Sequence, residues 1–458
     1  MEDIGRAAIE ESIIRQREYF ASGQTRSLKF RVNQLIRFKE TIKLFEKRIA
    51  QALWDDLHKS FEEAYLTEIS MVVQEIDNHI RHIKQWSKPK RVPTPLHLLP
   101  SGSKILYEPL GVALIVAPWN YPFQLMMNPL VGAISSGCCA LLKPSPYTLN
   151  IAKVMETLIS ETFDPAYVTL VQGGRKVNEF LLSQRFDFIF YTGSPAVGKV
   201  VMRAAAEYLT PFVLELGGKS PCIVDAGANL DIAAKRIAWG KTINAGQTCI
   251  APDYLLVHES VKEELILKLA DSIDRMFGPD SKQSPYFPRM VNQQAFERVQ
   301  KLLEKGRIRF GGQSDAAERY IAPTIIDEIQ SDFPIMQEEI FGPVLPIMTF
   351  GHIDEAIAYV NSHEKPLAFY YFGKNRQARE VLEKTTSGGG CINDSLLNFA
   401  NHHLPFGGVG NSGQGKYHGK GSFLAFSNSR AIVISPTWID LPIKYAPFKG
   451  FKWVKRLL

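Results

Sequence analysis

The chain has 458 residues, 45% of them hydrophobic and 22% charged, and a formal net charge of +6. It is long enough for two or three domains, since single cores stop growing at roughly 250–300 residues. So mild a charge argues against a nucleic-acid partner, and five scattered cysteines behind a charged N-terminus, "MEDIGRAAIEESIIRQ", favour a reducing cytoplasm over a disulfide-stapled secreted scaffold.

In the first eighty residues Leu28, Val32, Leu35, Ile36 and Ile42 recur at helical spacing with basic residues between them. The proline-rich "SKPKRVPTPLHLLPSGS" interrupts the helical pattern and leads into "KILYEP", read as an extended arm or hairpin. No charge occurs between Glu108 and Lys143, yet Pro109, Pro118, Pro122 and Pro129 break that stretch together with Asn120 and Asn128. Buried strand, turn and helix are expected there rather than a membrane span.

From Gly111 the strand-like runs "VALIVAP", "CALLK", "YVTLV" and "FDFIFYTG" alternate with the helix-like "QLMMNPLVGAIS", "NIAKVMETLISETF" and "AVGKVVMRAAAEY". Alternation of this kind predicts βαβ units and a doubly wound parallel sheet. A second series follows Leu216, with strands at "YLLVH", "VLPIMTF" and "LAFYYFG" and helices near 229–243, 260–275, 292–304 and 354–361. The expected fold class is α/β with two α/β domains; Cys138 and Cys139 are expected in the core of a helix–strand junction.

Several residues can carry chemistry. Cys249 in "NAGQTCIAP" is a buried core thiol or, behind the flexible polar lead Gly246-Gln247-Thr248, a nucleophile. Glu215 in "FVLELGGKSP" is a strand-end glutamate in solvent or a general base left at a cleft edge where Gly217-Gly218 turn the backbone sharply. Asn120 in "VAPWNYP" is a turn former or an amide donor to an oxyanion. Gly193, Ser194 and Gly198 in "YTGSPAVG" make a plain strand–helix turn or a phosphate cradle. Lys143 in "LLKPSP" leaves a strand either to be solvated or to reach ribose or phosphate. No metal-ligand spacing of His and Cys occurs, so no metal is expected.

Taken in order, "APWNYP", "LLKPS", "TGS", "LELGGKSP", "NAGQTC", "EEIFGPV" and "PFGGVGNSGQG" resemble the NAD(P)-dependent aldehyde dehydrogenase superfamily, over residues 105 to 425. The short N-terminus and "GQGKYHGKGSF" look most like its class 3 branch. The resemblance implies a Rossmann-like NAD(P)-binding domain at 1–84 and 105–215, a catalytic domain at 216–410, and an oligomerisation arm and tail at 85–104 and 411–458. It also implies a homodimer and oxidation of medium- to long-chain aliphatic or aromatic aldehydes to acids through a cysteine thioester. Carried over, Cys249 is the nucleophile, Glu215 the general base and Asn120 the oxyanion donor. Lys143, Gly193 and Ser194, with Gly198 in the same turn, match dinucleotide contacts, and Glu339 and Phe341 match the holders of the nicotinamide ribose and ring.

One departure bears on the cofactor. Where many relatives place a ribose-binding glutamate after Lys143-Pro144-Ser145, this chain has Pro146, which opens the site to NADP as well as NAD. His402 and His403 are expected near the substrate-tunnel end. The tail "FKGFKWVKRLL" suits weak membrane contact by composition, with docking on a partner subunit preferred. The competing readings are a cysteine-dependent ester hydrolase and a catalytically silent homologue.

Overall fold

The computed structural model describes residues 5–440, 444–448, 451–452 and 455. Its first part is helical: Arg6–Ala21, Leu28–Leu57, and Phe61–Ala64, which runs through a π turn at Tyr65–Ile69 into Ser70–Trp86. Ser27 starts the long helix by accepting the Phe30 N–H, which satisfies one of the orphan donors of the first turn. Its buried stripe is Leu35, Phe38, Ile42, Phe45 and Ile49 at three- and four-residue spacing, whereas Ile36 falls outside the stripe and is exposed.

The uncharged stretch becomes the strand Val112–Val116, the helix Gln124–Ser136 and the strand Cys139–Lys143, nearly all of it buried, and Cys138 and Cys139 lie in the core as expected. Among the described residues no helix is long and apolar enough to cross a membrane. The first sheet has the order Gly413–Gln414, Phe212–Leu216, Phe188–Gly193, Val112–Val116, Cys139–Lys143, Val168–Leu170, parallel except at Gly413–Gln414. Chain order runs outward both ways from Val112–Val116, so its two flanking crossovers diverge and leave a crevice at the carboxyl ends. Asn120, Lys143 and Ser194 all follow such ends.

The second sheet has seven strands in the order Arg307–Phe310, Thr324–Asp327, Val344–Phe350, Tyr254–His258, Pro221–Val224, Ala368–Phe372, Gly389–Ile392, parallel except at the first. The expected helices are present as Leu230–Thr242, Lys262–Phe277, Gln293–Lys301 and Ile353–Asn361. The expected arm is a three-stranded antiparallel sheet of Lys90–Val92, Gly102–Pro109 and Ser427–Ile434. Within the tail, Lys449, Trp453, Arg456, Leu457 and Leu458 lie outside the described residues, and the reading of that segment with them.

Candidate active site

Cys249 stands just past a turn that only a few residue types can make. Asn244 and Ala245 take left-handed φ angles of 52° and 51°, and Gly246 follows at 72°. A β-carbon on Gly246 would lie 2.2 Å from Gly342 O, so glycine is required there by space as well as by φ. The lead into the thiol is not flexible, contrary to the sequence reading. Gln247 is fully buried; its Nε2 donates to Asn244 O and Arg289 O, both at 3.0 Å, and its Oε1 accepts the Val291 N–H at 2.9 Å. One side chain thus satisfies three main-chain groups and pins the turn.

Asn120 is 3% exposed and donates through Nδ2 to Gln247 O at 3.0 Å, two residues before the cysteine. A side-chain amide has two hydrogens, so one donor remains for an oxyanion. Asn120 does not itself line the cavity described below; its neighbour Tyr121 does, and the Tyr121 hydroxyl meets Thr248 Oγ1 at 2.7 Å. Behind both lies a fully buried ion pair. Lys59 Nζ donates to Glu68 Oε1 (2.6 Å) and Asn120 O (2.9 Å), and Glu68 Oε2 accepts the N–H groups of Phe123 (2.9 Å) and Gln124 (3.2 Å).

Cys249 and Glu215 share one cavity of about 550 Å³, walled by apolar side chains that include Leu125, Trp239, Phe277, Phe399 and Phe406. Burial pushes the Cys249 thiol up, and the neighbouring carboxylates Glu339 and Glu215 add to this while main-chain N–H groups oppose it. Such a thiol gives up its proton only to a base at hand. Glu215, at the end of Phe212–Leu216, is 3% exposed, and neither carboxyl oxygen has a hydrogen-bond partner. Burial raises it well above the usual carboxylate range, with Lys416 working the other way. Gly217 and Gly218 serve Glu215 differently from the expectation: neither has a positive φ. A β-carbon on Gly217 would lie 2.1 Å from Glu339 Oε2, so the missing side chain makes room for a second carboxyl group.

Burial and nearby Asp253 push Glu339 up to about 8, opposed by the Gly218 N–H, Lys219 and Arg298. Phe341, at a φ of 47°, sets its ring edge-on to Trp119 with centroids 5.3 Å apart. Lys143 is buried at its strand end and donates to Pro144 O at 2.6 Å. Ser194 caps the helix Pro195–Ala206 by accepting the Val197 N–H. Gly193 lies against the Tyr191 hydroxyl, and a β-carbon on Gly198 would strike Leu216 Cδ2 at 2.8 Å, so Gly198 lets the helix pack close on the sheet. His402 turns to Glu75 Oε2 at 3.0 Å and His403 is exposed; neither lines the cavity.

The sequence reading missed Lys59, Glu63, Glu68, Thr248, Tyr121 and Lys416. Glu63, on the cavity wall, accepts the Asn244 N–H at 2.9 Å and is pushed up to about 7 by burial, with Lys59 and that N–H opposing and Glu68 adding. Lys59, Glu63 and Glu68 sit in no motif, whereas Tyr121, Thr248 and Lys416 lie within "APWNYP", "NAGQTC" and "GQGKYHGKGSF", segments whose other residues carry the reading.

Comparison with known proteins places this geometry. The model of the aldehyde dehydrogenase family matches residues 1–432. The chain is 46% identical over 451 residues to the 4,4'-diaponeurosporen-aldehyde dehydrogenase of Staphylococcus aureus, covering 98% of each chain. It is 44% identical to mouse aldehyde dehydrogenase family 3 member B1 over 97% of this chain and 95% of that protein. It is also 44% identical to the dog aldehyde dehydrogenase named dimeric NADP-preferring, over 96% of this chain and 98% of that one. The solved substrate-bound state of Staphylococcus aureus AldH superposes with a TM-score of 0.96 at 46% identity, covering 98% of this chain and 99% of that one. A family model matched over residues 1–432 and relatives 44–46% identical along nearly the whole chain show that it belongs to the aldehyde dehydrogenase family.

Proposed function

We propose that the chain oxidises an apolar aldehyde, aliphatic of medium to long chain or aromatic, to the free acid with NAD or NADP. The observation that carries this is the placing of Cys249 and Glu215 in one cavity of about 550 Å³ with apolar walls. A pocket of that size and lining takes a drug-sized apolar body and orients it with few polar groups. The relative named 4,4'-diaponeurosporen-aldehyde dehydrogenase is in keeping with that reading.

Cys249 Sγ attacks the aldehyde carbon as its proton passes to a base, and the amide of Asn120, with the Cys249 N–H, holds the oxygen that becomes negative. When bound, NAD(P) supplies the acceptor for the hydride that leaves that carbon. A thioester to Cys249 results, and Glu215 takes a proton from the water that hydrolyses it. The residues at hand fit the cofactor: Ser194 and the helix N-terminus behind it for phosphate, Lys143 at the strand end, and a part-buried Glu339 with Phe341 for the nicotinamide ribose and ring. Residues 1–84 and 105–215 form the dinucleotide-binding domain in this reading, 216–410 the catalytic domain, and 85–104 with 411–458 the arm and tail. The arm joins two copies into a homodimer, in keeping with the relative named dimeric, and the enzyme works in the cytoplasm.

The test is nicotinamide reduction followed by absorbance across an aldehyde series with NAD and NADP. Turnover that rises with chain length and vanishes in Cys249→Ser supports the reading, and reduction with none of the aldehydes overturns it. An NADP efficiency many orders below that of NAD would remove the argument from Pro146.

A further inference from the structure

Glu215 and Lys416 meet across one glycine. Glu215 comes from the strand Phe212–Leu216, and Lys416 lies just beyond Gly413–Gln414, which pairs antiparallel with that strand in the register Gly413↔Glu215. A β-carbon on Gly407 would stand 2.8 Å from Glu215 Oε1 and 2.9 Å from Lys416 Cδ, so both side chains crowd the same face of that residue. Lys416 Nζ donates to the carbonyls of Gly388 at 3.0 Å and of Gly407. Carbonyl dipoles hold an ammonium in place without cancelling its charge. Glu215, for its part, has no hydrogen-bond partner for either oxygen. A buried acid with no donor thus faces a cation with no anion bonded to it.

We infer that Lys416 is a positioning residue for the general base: its ammonium, seated on the Gly388 and Gly407 carbonyls beside Glu215, favours the ionised form of that acid, the form that accepts a proton from the hydrolytic water. The inference rests on the proposed function above. In this step a lone pair of the water oxygen forms the bond to the thioester carbon and the water proton passes to a Glu215 oxygen. The carbon–sulfur bond then breaks with its electrons leaving on Cys249 Sγ. Burial works against the ionised base and Lys416 works for it. The other titratable groups around it are Cys249, Tyr417 and, across Gly217, Glu339; none of them brings positive charge.

K416Q keeps N–H donors for the two carbonyls and drops the charge; K416M and K416R are made beside it. The acid limb of the kcat profile is expected to move up by about one pH unit in K416Q, so that turnover at pH values below the limb falls about tenfold and recovers at higher pH. The first-turnover burst of nicotinamide reduction, which precedes hydrolysis, keeps its rate constant. K416R, which keeps the charge, retains the parent's acid limb. A K416Q profile that superimposes on the parent's, or a burst that slows with turnover at every pH, overturns the role and leaves Lys416 a support of its loop. K416M carries the same test should K416Q not fold. A parent enzyme that reduces no nicotinamide overturns the activity itself and this role with it; a parent that turns over beside an unmoved K416Q profile overturns the role of Lys416 alone.

Discussion

Glu68 and Glu215 are the same residue type at nearly the same burial, 0% and 3% exposed, on two sides of one active-site region. Glu68 is partnered on both oxygens: an ammonium on one, two main-chain N–H groups on the other. Glu215 accepts nothing. The first arrangement uses both of the acid's oxygens to hold Lys59, the Asn120 segment and the start of the helix Gln124–Ser136 together. The second leaves both oxygens for a reacting water, against a standing desolvation cost. Burial alone therefore does not separate a structural acid from a reactive one; the partner count does.

The contrast can be broken from either side. In Glu215→Gln, steady-state oxidation is expected to fall by about a hundredfold to ten-thousandfold while one turnover of nicotinamide reduction survives. Its thermal midpoint stays level or rises, because an unpaired buried carboxyl group is gone; stopped-flow absorbance and calorimetry on the same sample read both. Glu68→Ala reverses the pattern and costs stability first, about 3–5 kcal/mol in denaturant titration, since it strands the Lys59 ammonium in the core. The double change Lys59→Met with Glu68→Leu returns much of that loss, and its kcat then reports how far the pair positions Asn120.

A smaller effect is expected from Tyr121→Phe, which removes the hydroxyl bonded to Thr248 and costs about 0.5–1.5 kcal/mol of stability or of transition-state binding. A drop in kcat at unchanged KM would place the cost in the reaction. An effect that depends on pH concerns Glu63. Its folded-state value, pushed up to about 7 from the usual 4.5, means that the folded chain binds more protons than the unfolded one between those two values. Stability contributed by this group is therefore present at low pH and declines as pH rises through that window. Glu63→Gln keeps an acceptor for the Asn244 N–H and removes the titration, so the variant gains on the parent at pH 8 and not at pH 4 in thermal unfolding. Equal differences at both values would show that the carboxyl group is already solvated.

The readable part of the molecule was the part whose partners are local. Cys249, Lys143 and Ser194 stand at element boundaries marked by glycine, proline and a change of period, and strand–helix alternation carries the doubly wound sheets with little help from elsewhere. Strands such as Pro221–Val224 and Gly389–Ile392, short and seated in the second sheet, have too few residues to show a pattern. Lys59 reaches a carbonyl 61 residues away and Gln247 one 42 residues away, so "HKSFEEAYLTE" reads only as a polar helix. The glycine pair after Glu215 stands out in the sequence, but one of its uses does not. Space for Glu339, more than a hundred residues on, cannot be seen from "LELGG".

The pairing of Gly413–Gln414 with Phe212–Leu216 has a consequence during synthesis. The strand that carries Glu215 is the edge of its sheet until a segment about two hundred residues downstream leaves the ribosome. At roughly 5–20 residues per second that edge stays open for about 10–40 s, with its apolar Val213 and Leu214 available to any other nascent strand. Chaperone dependence and aggregation on overexpression should therefore track the C-terminal tenth of the chain, and truncations ending just before residue 413 should be far less soluble than their small loss of mass implies.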